Sequence, residues 1–133
     1  MANSMKLDTK GIEAMLERIK KAGGNIEQAA EKALTESAEP FFDDLRAGIA
    51  KHRLTGETER SLRKNRVEWE GGKASIKIGF DINNGGLPAL FVEYGTPTQK
   101  AQPFIRPAIV KNKSKAKRIQ QTVLNNILKD LKK

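Results

Sequence analysis

The chain has 133 residues, with 25 Lys and Arg against 16 Asp and Glu, one His, no Cys and 38% hydrophobic residues. Without Cys it can have no disulfide, thiolate metal site or Cys nucleophile, and His52 alone cannot build a zinc centre. The net charge of +9 is uneven: residues 1–99 hold 15 basic and 15 acidic side chains, whereas residues 100–133 hold 10 basic ones and a single acid, Asp130.

The opening MANSMKLDTK lacks the apolar centre of a signal peptide, and no apolar run approaches the ~20 residues that cross a bilayer, so cytoplasmic synthesis and no membrane contact are expected. Residues 9–22 carry Ile12, Met15, Leu16 and Ile19 at helical spacing, with Asp8 as the expected N-cap and Gly23-Gly24 as the stop. Asn25 is placed to cap a second helix, with Gln28 three residues on. Its stripe of Ile26, Ala30, Ala33, Ser37, Phe41, Leu45 and Ile49 runs to about His52. Pro40 falls inside it and predicts a kink or a split.

Residues 51–66 read as a polar connection containing Thr55-Gly56. Val67 and Trp69, then Gly71-Gly72, then Ala74, Ile76 and Ile78 predict a hairpin with one apolar, inward face. Beyond a Gly/Asn-rich loop, residues 89–94 (ALFVEY) predict a third strand buried on both faces. Pro107 suits the first turn of a final helix running from about residue 107 to 131, marked by Ile109, Ala116, Ile119, Val123, Ile127 and Leu131. These elements predict one α+β domain over 1–133: N-terminal helices over 9–51, a small antiparallel sheet of three or four strands over 66–95, and the long C-terminal helix.

Residues with catalytic chemistry are scarce. There is no phosphate loop, nucleophile elbow or metal-binding H-E-x-x-H, and Asp43 and Asp44, as neighbours on a helix, diverge by about 100° and read as solvated acids. No catalytic, cofactor-binding or metal residue is therefore expected. Glu93 stands out as an acid in an apolar segment, where a carboxylate needs a partner; Arg106 or a basic group of a neighbouring subunit is the expected one. Gly95, between that segment and Thr-Pro, is expected to take a positive φ or to allow close backbone approach. Lys111, Lys113, Lys115, Lys117 and Arg118 are the candidate nucleic-acid contacts. On a helix, spacings of two step about 200° round the axis, so they form no single stripe, and a solvated surface segment is the plainer reading.

Residues 89–109, ALFVEYGTPTQKAQPFIRPAI, resemble a signature of the tail-component family of long-tailed bacteriophages: an EYGT or EFGT element, a short polar spacer, and QPF-x-RPA before a C-terminal helix. Here these are Glu93-Tyr94-Gly95-Thr96 and Gln102-Pro103-Phe104-Ile105-Arg106-Pro107-Ala108. A weaker element, Thr-Gly then Leu then Ser-Leu, is matched by Thr55-Gly56 and Ser61-Leu62, with Thr58 where Leu is usual. The resemblance implies an α+β virion subunit, made in the bacterial host cytoplasm, that joins tail to head. It would form a homo-oligomeric ring, a hexamer, at the head-proximal end of the tail as a tail-completion or neck piece. Its partners would be copies of itself, neighbouring tail and connector proteins and, transiently, DNA. Glu93, Tyr94, Gly95, Thr96, Pro103, Phe104, Arg106 and Pro107 are the expected protein-interface residues. The alternative is a small basic nucleic-acid-binding protein touching phosphates through residues 111–118.

Overall fold

The structure is a computed structural model that describes residues 4–52 and 56–132; Thr55 of the weaker family element lies outside the described residues. Among the described residues, five α-helices and four strands follow in the order β1 (Ser4–Asp8), α1 (Glu13–Lys21), α2 (Ile26–Ala50), α3 (Glu57–Arg60), β2 (Leu62–Lys64), β3 (Glu68–Glu70), β4 (Lys73–Phe80), α4 (Leu87–Tyr94) and α5 (Ile105–Leu131). The architecture is α+β, with a small antiparallel sheet and a long C-terminal helix.

Strand β4 organises the sheet. Its alternation puts Ala74, Ile76, Ile78 and Phe80 on one face, all buried. Strand β1 pairs along one side, setting Met5 opposite Ile78 and Leu7 opposite Ile76, while β2 and β3 share the other side, with Leu62 opposite Phe80 and Trp69 opposite Ala74. Helix α2 covers this apolar face with Ala38, Phe41, Leu45 and Ile49. Each large side chain so buried contributes roughly 1.5–3 kcal/mol. A second apolar cluster joins α1 (Ile19), α2 (Ala29, Ala33) and the end of α5 (Val123, Leu124, Leu128).

Several elements differ from the sequence reading. Residues 4–8 are a strand, and Asp8, expected as a helix N-cap, ends it and accepts the N–H of Lys10 at 3.0 Å; α1 begins only at Glu13. Asn25 caps α2 as expected, accepting the N–H of Gln28 at 3.1 Å. Helix α2 is not split at Pro40 and runs as one element to Ala50. The stretch read as a polar connection contains α3 and β2. The hairpin forms, but its short arm is exposed throughout: Trp69 is 39% exposed and its indole N–H reaches Glu31 Oε1 at 3.3 Å, across the rim of the helix layer. The largest difference is at residues 89–94, which are helical and not a strand. A short apolar run does not distinguish the two by periodicity. Pro88 in the first turn favours the helix, and the buried residues Ala89, Leu90 and Glu93 then fall on one helical face.

Candidate functional site

The family-like signature folds into a junction between α4 and α5. Helix α4 buries Ala89, Leu90 and Glu93 and turns Leu87, Phe91 and Tyr94 outward, at the four- and three-residue spacings that align side chains on one side of a helix. Gly95 ends it with φ +80°, as the sequence predicts. A Cβ there would stand 2.8 Å from the backbone nitrogen of Ala101 and 3.0 Å from the carbonyl oxygen of Gln99, so glycine is required both by the turn and by the returning chain. Thr96 and Gln99 exchange backbone hydrogen bonds of 2.8 and 3.2 Å, and the N–H of Gln102 reaches the carbonyl of Val92 at 2.8 Å. These bonds bring the chain back along the last turn of α4.

The returning chain delivers the start of α5 to Glu93. Its carboxylate, in a residue only 2% exposed, accepts the backbone N–H groups of Phe104 (2.7 Å), Ile105 (2.7 Å) and Arg106 (3.1 Å). The first N–H groups of a helix have no intrahelical partner and carry partial positive charge, so they receive an anion well. The next residue, Pro107, has no N–H, and the first intrahelical bond runs from Ala108 to Phe104. Every donor in the opening turn of α5 is thereby accounted for, although Phe104, the N-cap residue, makes no side-chain cap. From the sequence, the expected partner of Glu93 is the Arg106 side chain or a basic group of a neighbouring subunit. The structure joins it to the Arg106 backbone instead and lays the guanidinium carbon 5.3 Å from the centre of the Tyr94 ring. A helix start satisfies a buried carboxylate without desolvating a second full charge.

The expected interface residues therefore separate by position. Glu93 is buried, and Phe104 points inward, meeting Phe80 edge-on at 5.9 Å and lying against Gly48, where a Cβ would come within 2.5 Å of its ring. Tyr94, Pro103, Arg106 and Pro107 are exposed, and Gly95 and Thr96 are half-buried. Beside them stand three residues that the sequence reading did not single out: Leu87, Phe91 at 48% exposure, and Val110 at 75%, one helical turn beyond Arg106 on α5. The signal for the first two was the exposed helical stripe, which is invisible while the segment is read as a strand.

The lysine segment is divided as well. Asn112, Ala116 and Gln120 face inward at four-residue spacing, so this part of α5 is docked on one side. Lys111 approaches Asp44 Oδ2 at 3.6 Å. Lys117 Nζ donates to the carbonyl of Asp8 at 3.3 Å and to that of Lys10, tying α5 to the end of β1. Lys113, Lys115 and Arg118 are exposed. Asp44, expected to be a solvated acid, also accepts Asn112 Nδ2 at 2.8 Å, whereas Asp43 pairs with Arg46 at the surface. Among the described residues no three His, Asp or Glu side chains group as a metal site, and no helix is long and apolar enough to cross a membrane.

A family model described as "Bacteriophage HK97-gp10, putative tail-component" matches residues 13–95, from the first residue of α1 to the glycine that closes α4. No curated protein and no solved structure gave a match. The match takes in Glu93, Tyr94 and Gly95 and stops before the loop and α5. Covering more than half of the chain, it places this protein in the HK97-gp10 tail-component family of bacteriophages.

Proposed function

We propose that this tail component is a structural, non-enzymatic subunit that assembles into a homo-oligomeric ring at the head-proximal end of the tail, as a tail-completion or neck piece joining tail to head. A hexamer is the ring size implied by the resemblance at residues 93–108. The observation that carries the reading is the outward stripe of α4. Leu87, Phe91 and Tyr94 are exposed together, with Arg106 stacked on Tyr94 and Val110 further along α5. Aromatic residues and Arg are enriched in protein interfaces, and clustered exposed apolar residues on a small protein mark contact surfaces. The stripe is mounted on a junction in which the buried Glu93 carboxylate and the first N–H groups of α5 satisfy one another, so a neighbouring subunit would meet a preformed surface.

The test is the double substitution Phe91→Ser with Tyr94→Ser. Both side chains point outward, so thermal stability should stay close to that of the wild type. Light scattering should show loss of the oligomer, and complementation of a phage lacking the protein should give unjoined heads and tails. Normal oligomers and infectious particles from a folded double variant would overturn the reading.

A further inference from the structure

The sheet has a second face that, among the described residues, no helix covers. Alternation along β1, β2 and β4 turns Lys6, Arg63 and Lys77 away from α2, and all three are exposed. Lys6 and Lys77 are directly opposed partners in the antiparallel ladder, and Arg63 lies in the next outward row, opposite Gly79. Like charges set directly across two strands are destabilising. Among the described residues none of these three, nor the adjoining Arg66, forms an ion pair. Two shallow grooves, of about 310 and 280 Å³, meet at Asn65 and Lys77; the first is lined also by Ser4, Arg63 and Asn83, the second by Lys6, Arg66 and Glu68. Asp81, on the rim of the first groove, is already engaged by the N–H of Asn83 (3.2 Å) and Asn84 Nδ2 (2.8 Å).

We propose that this sheet face binds the phosphate backbone of duplex DNA without reading its sequence. Four cations not held in ion pairs, with hydroxyl and amide groups between them, match a row of phosphates in charge and in hydrogen-bonding chemistry; the carboxylates of Asp8 and Glu68, both opposite Ser75, and of Glu70, opposite Lys73, stand at the other end of the same face and confine the site to the end at Lys77 and Gly79. An acidic protein partner fits less well. Protein interfaces are anchored by aromatic and apolar side chains, and the large exposed ones among the described residues lie elsewhere, Trp69 in the opposite row of β3 and Leu87, Phe91, Tyr94 and Val110 on the helices. A single strand fits less well again, because among the described residues the aromatic ring at these grooves is that of Phe80, which is buried and not open to a base. The α5 lysines are the poorer phosphate site, since Lys111 and Lys117 are committed within the chain.

The test measures fluorescence anisotropy of a labelled random-sequence duplex with the full chain, between about 50 and 200 mM salt. The sheet variant carries Lys6→Gln, Arg63→Gln and Lys77→Gln; the control carries Lys113→Gln, Lys115→Gln and Arg118→Gln, an equal loss of charge on α5. Wild type should bind with a log–log salt slope of about −3 or steeper, the sheet variant should lose at least about tenfold in affinity and about two to three units of slope, and the control should change by no more than about threefold. Lys77→Gln alone keeps the test open if the triple variant unfolds. It relieves the Lys6 repulsion, so its melting temperature should equal or exceed that of the wild type while the slope falls by about one unit. Equal effects of the two triple variants would overturn the proposal. So would wild type that fails to bind duplex at about 50 mM salt, and if the sheet variant then also failed to enter tails, an acidic protein partner would be indicated instead.

Discussion

Two of the polar contacts that hold helix α5 are built differently. At its start, one buried carboxylate meets three backbone N–H groups and a proline removes the next, so no donor is left over. Farther along, α5 lies on α2 through amides. Asn112 Nδ2 donates to Asp44 and to the carbonyl of Ala108, both at 2.8 Å, and Gln120 Nε2 donates to Ser37 Oγ at 3.2 Å. The carbonyl oxygens of these two amides, Asn112 Oδ1 and Gln120 Oε1, are buried with no hydrogen-bond partner among the described residues. A fully satisfied charged contact is expensive to disturb, whereas a half-satisfied amide contributes little net stability and acts mainly by fixing how one helix sits on another. The fully satisfied end of α5 is also the end that flanks the exposed stripe of α4.

Removing Glu93 breaks this contrast most directly. Glu93→Ala leaves the N–H groups of Phe104, Ile105 and Arg106 without their acceptor and opens a cavity, and should cost about 3–5 kcal/mol. Glu93→Gln keeps an oxygen for two of the donors but turns an NH2 group toward the third, and should cost about 2–3 kcal/mol. Urea titration followed by circular dichroism measures both, and a loss below about 1 kcal/mol for the alanine variant would show that the carboxylate is not what holds the junction.

Gly95→Ala comes next. It forces a Cβ into the positive-φ region and against the backbone of Ala101, and about 2 kcal/mol of destabilisation is expected in the same titration. An alanine variant as stable as the wild type would mean that the 96–101 loop yields readily.

The α2–α5 contact should respond in the opposite sense. Gln120→Leu removes an oxygen that has no partner, and Ser37 keeps its own bond to the carbonyl of Leu34, so stability should rise or stay within about 1 kcal/mol of the wild type. A loss of about 3 kcal/mol or more would place the two contacts on an equal footing.

How much of this was legible in the sequence depends on which physical signal each residue leaves. Periodicity identified α2 and α5, the turn glycines gave the β3–β4 hairpin, and Gly95 was read correctly from its place between an apolar run and Thr-Pro. Strand β1 was overlooked although Met5 and Leu7 alternate with Ser4, Lys6 and Asp8, because five residues beside a chain end carry little weight. The run at residues 89–94 misled because a two-turn helix with one apolar face buried and the other exposed looks like a buried strand. That error hid Phe91 and the outward stripe. Glu93 was singled out for the right reason, its burial, but a helix N-terminus formed eleven residues later is not visible to pairwise charge matching. The lysine run shows the same limit: five cations in sequence are two intrachain ties and three solvated groups in space.

The smallest expected effect is at Glu13, an exposed counterpart of Glu93. Its carboxyl is held below the ordinary glutamate value by backbone hydrogen bonds at its own N–H and that of Gly11, with Lys117 and Lys73 assisting. A carboxyl depressed on folding stabilises above its unfolded-state pKa, and that contribution disappears as pH falls through the folded-state value. Wild type should therefore melt slightly above Glu13→Gln at neutral pH, and the two should converge as the pH falls below about 4. A difference that grew on acidification would have the wrong sign.

The central claim is that the outward stripe of α4 meets another subunit in the particle. A photo-crosslinking amino acid placed at Phe91 in assembling phage tests it most directly. Irradiated particles should yield a covalent dimer of this chain, with the crosslink mapped by mass spectrometry to a single surface of the neighbouring copy. Particles that contain the protein at wild-type abundance and give no crosslink from Phe91, while a probe on the outer sheet face at Lys6 crosslinks between copies, would contradict the account.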